Sequence, residues 1–208
     1  MKKLLIFLFS LFLLGSPSIF ADDISDFTIE GMSIGDSLLD YMTEEEILEE
    51  IEKRKDLYQN LKEPNKYKEI YLFKDFPTYD FVSFFIKNNS TNEYVGNKNE
   101  KFTILSIYGS INYFNDFNSC IQKRDEIAGI ISEMFPNAQK TENIFKHYAD
   151  PSGDSILDDI SFRFDSGEEV EAECEDFDET FRIKKNWGEG LNISISSAEI
   201  LSWLRNKK

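Results

Sequence analysis

The stretch Ile160-Ser161-Phe162-Arg163-Phe164-Asp165-Ser166-Gly167-Glu168-Glu169-Val170-Glu171-Ala172-Glu173-Cys174 decides the fold. Apolar and polar residues alternate on both sides of Asp165-Ser166-Gly167, which is the period of a strand with one buried face. The alternation also selects the register. A two-residue loop at Ser166-Gly167 would set Phe164 opposite Glu169 and mix the faces. A three-residue loop with Gly167 in the left-handed region pairs Phe162 with Val170 and Ile160 with Ala172, so every apolar residue falls on one side. Arg163 then meets Glu169 on the wet side, and Cys174 falls on the apolar face.

Working outward, Asp116 to Phe135 carries Phe117, Cys120, Ile121, Ile127, Ile131, Met134 and Phe135 at steps of three and four. This is an amphipathic helix with Arg124 inside its stripe, and Pro136-Asn137 ends it. If it packs on the hairpin, Cys120 and Cys174 point into one core. A bridge between them closes a loop of about 55 residues and stabilises by roughly 4 kcal/mol in the loop-entropy account. An even cysteine count in an exported chain agrees with pairing.

Toward the N-terminus, Thr43 and Glu46 form a capping box ahead of Ile47, Leu48, Ile51 and Tyr58, which predicts a helix from about 36 to 58 with a break near Met42 and Thr43. Three strands follow at Tyr67–Phe73, Tyr79–Ile86 and Phe102–Tyr113. In the third, Thr103, Leu105, Ile107, Ile111 and Tyr113 share a face, and Gly109 marks a bulge or a close backbone approach. The Asn-rich stretch 87–100 reads as a long loop. Beyond the hairpin, Leu191–Ile195 alternates as a strand, and Ser196 with Glu199 caps a C-terminal helix carrying Ile200, Trp203 and Leu204.

The order helix, three strands, helix, three or four strands, short helix predicts an α+β fold. It consists of an antiparallel sheet with helices on one face, built from tandem α-β-β-β units at about 36–113 and 116–196 with a C-terminal helix over 197–206. One domain over 22–208 accommodates this.

Residues 1–21 have the order of a secretory leader: Lys2 and Lys3, an apolar run from Leu4 to Leu14 broken only by Ser10, then Gly15-Ser16-Pro17-Ser18 and Ala21. Eleven helical residues span about 16 Å, short of the roughly 30 Å of a bilayer core, so the run is a cleavable signal rather than an anchor. Cleavage is expected after Ala21 or Ser18. Loss of two lysines and no acid moves the formal charge from -16 to -18. Such a surface repels nucleic acid and anionic lipid, so neither is expected as a partner. A basic protein or an envelope component is compatible with it. An aromatic share of 14% opposes disorder.

The helix opening Gly31-Met32-Ser33-Ile34-Gly35, followed by a meander, resembles the periplasmic modules grouped with β-lactamase-inhibitor proteins and small outer-membrane assembly lipoproteins. As a whole the chain is similar to an uncharacterised family of exported proteins from marine bacteria. These resemblances imply a periplasmic home and carry no site residues.

Catalytic and cofactor motifs are not found: there is no Gly-x-Ser-x-Gly and no His-Glu-x-x-His, and His147 is the lone histidine. Asp150, Asp154 and Asp158 surround a Pro-Gly turn and are the weak calcium candidates, although Ser155 and Ser161 occupy positions where an EF-hand needs Gly and Glu. The acidic run Glu168, Glu169, Glu171, Glu173, Glu175, Asp176, Asp178 and Glu179 offers paired carboxylates. Alternation puts Glu169, Glu171 and Glu173 together on an exposed strand face, where raised pKa values are not expected. The chain therefore reads as an exported, non-enzymatic interaction or binding module that meets its partner through the outer sheet face or the loop at 87–100. The alternative is an envelope hydrolase with a dispersed carboxylate site.

Overall fold

The computed structural model describes residues 24–88 and 100–207. The expected leader and most of the loop at 87–100 lie outside the described residues. In chain order the elements are α1 (Glu44–Lys53), β1 (Tyr67–Leu72), β2 (Phe81–Lys87), β3 (Ile104–Asn112), α2 (Phe117–Met134), β4 (Gln139–Lys146), β5 (Ile156–Arg163), β6 (Glu169–Asp176), α3 (Glu179–Lys185), β7 (Gly190–Ser196) and α4 (Ala198–Arg205). The α-β-β-β order thus occurs twice before α3. All seven strands form one antiparallel sheet in the order β1-β2-β3-β7-β6-β5-β4, with β7 joining the two meanders.

The hairpin has the register that alternation selects. Phe162 stands opposite Val170 and Ile160 opposite Ala172. Gly167 has φ 92°, and its N–H donates to the Phe164 carbonyl at 2.9 Å. The apolar residues of β5, β6 and β7 enter one core with Ile70, Val82 and Phe84 from the first meander and Cys120, Ala128 and Ile131 from α2. We call this side of the sheet the inner face. Asp116 caps α2 by accepting from the Ser119 N–H at 3.2 Å. Cys120 and Cys174 are bonded, with their Cα atoms 6.0 Å apart. Arg124 is buried within the stripe because it is paired: Nη1 meets the Asp158 carboxylate, and Asp125 accepts from Nη2 at 2.8 Å.

Three details differ from the sequence reading. First, the bulge lies four residues before Gly109: Phe85 pairs with Ser106 and Ile86 with Ile104, so Leu105 is the extra residue. Leu105 consequently joins the outer-face cluster of Tyr67, Ile200 and Trp203 rather than the face of Ile107. Gly109 instead provides the close approach, since a Cβ there would stand 2.6 Å from Cδ1 of the Tyr79 ring.

Second, helices occupy both faces. Tyr67 and Phe85 are large apolar residues at outer-face parity, and α4 covers them through Trp203, whose Nε1 donates to the Lys62 carbonyl at 3.0 Å. Third, α4 is capped by Ser197, not Ser196. The Ser196 hydroxyl is 2.8 Å from that of Ser106 across the sheet, and Glu199 accepts from the Tyr67 hydroxyl at 2.6 Å.

Candidate functional site on the outer face of the sheet

The register of six strand pairs sorts the outer face into cross-strand rows. One runs Tyr71, Ser83, Tyr108, Ser194, Glu171, Ser161, Thr141 from edge to edge. Its neighbour runs Phe81, Ser110, Asn192, Glu173, Asp159, Asn143. Small hydroxyls therefore pave the centre of the face. Aromatic rings stand on the β1–β3 side and carboxylates on the β6 side.

Tyr71, Ser83, Tyr108, Ser194 and Glu171 of the first row and Phe81 and Ser110 of the second line a cleft of about 920 Å³, and Asn192, Glu173 and Asp159 continue the second row beside it. Glu69 and Tyr71 of β1 line it together with Tyr148, which follows β4 at the opposite edge, so the outer face is concave. Trp187 and Gly188 between α3 and β7 contribute to one wall, and Leu201 and Leu204 of α4 contribute to another.

Curvature and walls overturn the expectation for the glutamates. Glu171 and Glu173 are only partly exposed. Burial, reinforced by the charges of Glu169 and Asp159, pushes the Glu171 carboxyl up to about 7. Burial, then Glu171 and Glu175, pushes Glu173 up to about 8. Glu175, Glu69 and Asp159 are also raised, in each case chiefly by burial. Arg163 beside Glu171 and Arg54 beside Glu69 act against these shifts at the two margins.

Two buried polar atoms in the second row have no partner among the described residues: Nδ2 of Asn192, which is 5% exposed, and Oδ1 of Asp159, which is 4% exposed. The Asn192 side chain approaches Glu173 and Glu175 in hydrogen-bonding fashion and favours their charged forms, as the Asn143 side chain does for Asp159, although Asn192 Nδ2 and Asp159 Oδ1 themselves complete no hydrogen bond. An orphaned buried donor and an orphaned buried acceptor on either side of Glu173 are unusual, because such groups ordinarily find partners.

Three other acidic residues of the run have local partners. Glu169 receives Arg163 Nε at 2.9 Å, Glu168 accepts from the Ser166 hydroxyl at 2.6 Å, and Asp178 caps α3 by accepting from the Phe181 N–H at 2.8 Å. His147 lines the cleft and is packed among aromatic rings. It is 6% exposed, its ring lies 5.0 Å from Phe177 and 5.5 Å from Trp187, and burial lowers its pKa.

The three calcium candidates are not brought together. Asp150 closes its own turn by accepting from Ser152 N–H at 2.9 Å and from Ser155 N–H and Oγ at 3.0 and 2.7 Å, which holds its carboxyl well below the usual range. Asp154 is exposed, and Asp158 is on the inner face against Arg124. Among the described residues no group of three or more His, Cys, Asp or Glu side chains converges on a metal-sized site. No helix among them is long and apolar enough to cross a membrane.

Sequence reasoning found the carboxylate row but missed its walls. The wall-forming α3 has no long apolar stripe, and β4 has no alternation, so neither was foreseen. No family model, curated protein or solved structure matches the chain.

Proposed function

We propose that the chain is an exported, non-enzymatic binding module whose concave outer face holds a cationic segment of a basic envelope protein. The observation that carries this reading is the row Asn192, Glu173, Asp159, flanked by Glu171 and Glu175. Its carboxylates are desolvated and its orphaned atoms are unsatisfied. A lysine or arginine side chain entering the cleft offsets the desolvation of Glu171 and Glu175, which line it, and of Glu173 between them. The rings of Phe81 and Tyr108, with centroids 6.4 Å apart, supply faces for the aliphatic stem and for cation–π contact. The disulfide and the leader-like N-terminus support an envelope setting.

One observation favours the hydrolase instead: a carboxyl that keeps its proton near neutrality is suited to general-acid work. Against it, Glu171 and Glu173 are next-but-one neighbours on a single strand, so both approach a substrate from the same side. Glycoside hydrolysis needs its two carboxyls to flank the scissile bond.

Anisotropy of a fluorescein-labelled hexalysine peptide, titrated with the purified protein at low salt, tests the reading. Saturable binding that weakens at least tenfold in Glu171→Gln/Glu173→Gln and falls with added salt supports it. Absence of binding, or binding indifferent to the double substitution, overturns it.

A further inference from the structure

The two edges of the sheet are treated differently. In β1 four of six residues are buried, and the segment 54–61 folds beside it, with Arg54 stacked 3.6 Å over the Tyr71 ring and Tyr58 donating to Glu69 at 2.9 Å. In β4 all eight residues are exposed, including Ile144 at 69% and Phe145 at 51%. A long uncovered edge strand with apolar side chains is a template for further pairing, and proteins that stay monomeric usually blunt such edges.

The backbone direction of β4 is determined by its neighbour. The His147 N–H donates to the Ser155 carbonyl at 2.8 Å, and 147 opposite 155 continues the ladder that pairs Lys146 with Ile156. Hydrogen-bonded pairs alternate along an antiparallel ladder, so the odd-numbered residues of β4 bond to β5. The N–H and C=O groups of Lys140, Glu142, Ile144 and Lys146 consequently point to the open edge.

The sequence of that edge is complementary to itself in one register. With Ile144 opposite Ile144 of a second copy, Glu142 falls opposite Lys146 twice, symmetrically about the apolar pair, and Phe145 stands opposite Asn143 on the other face. Centring one residue earlier, on Asn143, sets Lys140 against Lys146. Centring on Glu142 sets two carboxylates face to face. Centring on Thr141 leaves Ile144 and Phe145 beyond the paired segment. Only the Ile144 register combines opposite charges with burial of the exposed apolar residues.

We propose that β4 is a homodimerisation edge: two copies pair antiparallel about Ile144, which extends the sheet across a two-fold axis and leaves the carboxylate cleft of each copy open. The surface is self-complementary, and for this reason a second copy rather than a foreign peptide is its occupant.

Sedimentation equilibrium of the protein purified from the periplasm of an expression host tests this with charge reversals on exposed residues. The wild type should dimerise. Glu142→Lys and Lys146→Glu should each weaken association at least tenfold, and the double reversal should restore it to within about threefold. Hydrogen exchange provides a second reading that needs no variant: the amides of Glu142, Ile144 and Lys146 should be slowed at concentrations that favour the dimer and fast on dilution. A protein that stays monomeric at several hundred micromolar overturns the proposal. So does a dimer indifferent to the single reversals, a double reversal that fails to restore pairing, or even-numbered amides that exchange equally fast at all concentrations.

Discussion

Cys120 in the second turn of α2 and Cys174 near the end of β6 have Cα atoms 6.0 Å apart and are bonded, which locks the principal helix to the strand that carries the carboxylate row. The sulfurs occupy the inner face, and Glu173 and Glu175, one residue to either side of Cys174, occupy the outer face. Anchoring the helix on one side of the sheet therefore fixes the backbone that presents the carboxylates on the other.

Replacing both cysteines should expose this role. Cys120→Ala/Cys174→Ala is expected to lose about 4 kcal/mol of stability, measured by urea unfolding, since the bridge closes a loop of sequence separation 54. Reducing the wild type should lower its stability by a similar amount and reoxidation should restore it, whereas the variant should respond to neither.

The Arg124–Asp158 pair makes a prediction about calcium. Asp125 still accepts from Arg124 Nε and Nη2 when Asp158 is neutralised, so Asp158→Asn should cost about 2 kcal/mol by removing one charge-assisted hydrogen bond from a guanidinium that is 7% exposed. Thermal melts of the wild type in calcium and in chelator should coincide, because Asp150 is engaged by Ser152 and Ser155 and Asp158 by Arg124.

The pH dependence of stability has a definite sign. Glu171 and Glu173 have folded-state pKa values of about 7 and about 8, above their unfolded values near 4.5, so the folded state binds more protons between these limits. Their contribution is fully present below pH 4.5 and is lost as pH rises to about 8. His147, whose pKa is lowered by burial, opposes this only below its unfolded value near 6.5. Between pH 6.5 and 8 the melting temperature should therefore fall. Glu173→Gln should flatten that fall and be more stable than the wild type at pH 8 by on the order of 2 kcal/mol, with the difference vanishing at pH 4.5.

How far the sequence discloses this molecule depends on where alternation is strict. Ile160 to Cys174 carries enough contrast to settle loop length, register and the disulfide, because a one-residue slip would reverse every face. Asp116 and Pro136 bound α2 for equally local reasons. The edge strand Gln139–Lys146 was not legible: a strand exposed on both faces needs no period-two pattern, and its pairing partner β5 supplies the constraint from elsewhere. The displacement of Leu105 to the outer face depends on a bulge opposite Phe85 and Ile86, a long-range property of two strands. The state of Glu171 and Glu173 was misjudged for a related reason. Alternation shows which side of a strand a residue is on, whereas desolvation depends on what else stands on that side, and Tyr108, Trp187 and α4 line the same cleft as Glu171.

Site-resolved titration of the glutamate side-chain carboxyls by NMR tests the central claim most directly. The account predicts midpoints near 7 and 8 for Glu171 and Glu173 in the free protein, both moving down by at least one pH unit when hexalysine occupies the cleft. Midpoints near 4.5 in the free protein, or elevated midpoints that the peptide leaves in place, would contradict it.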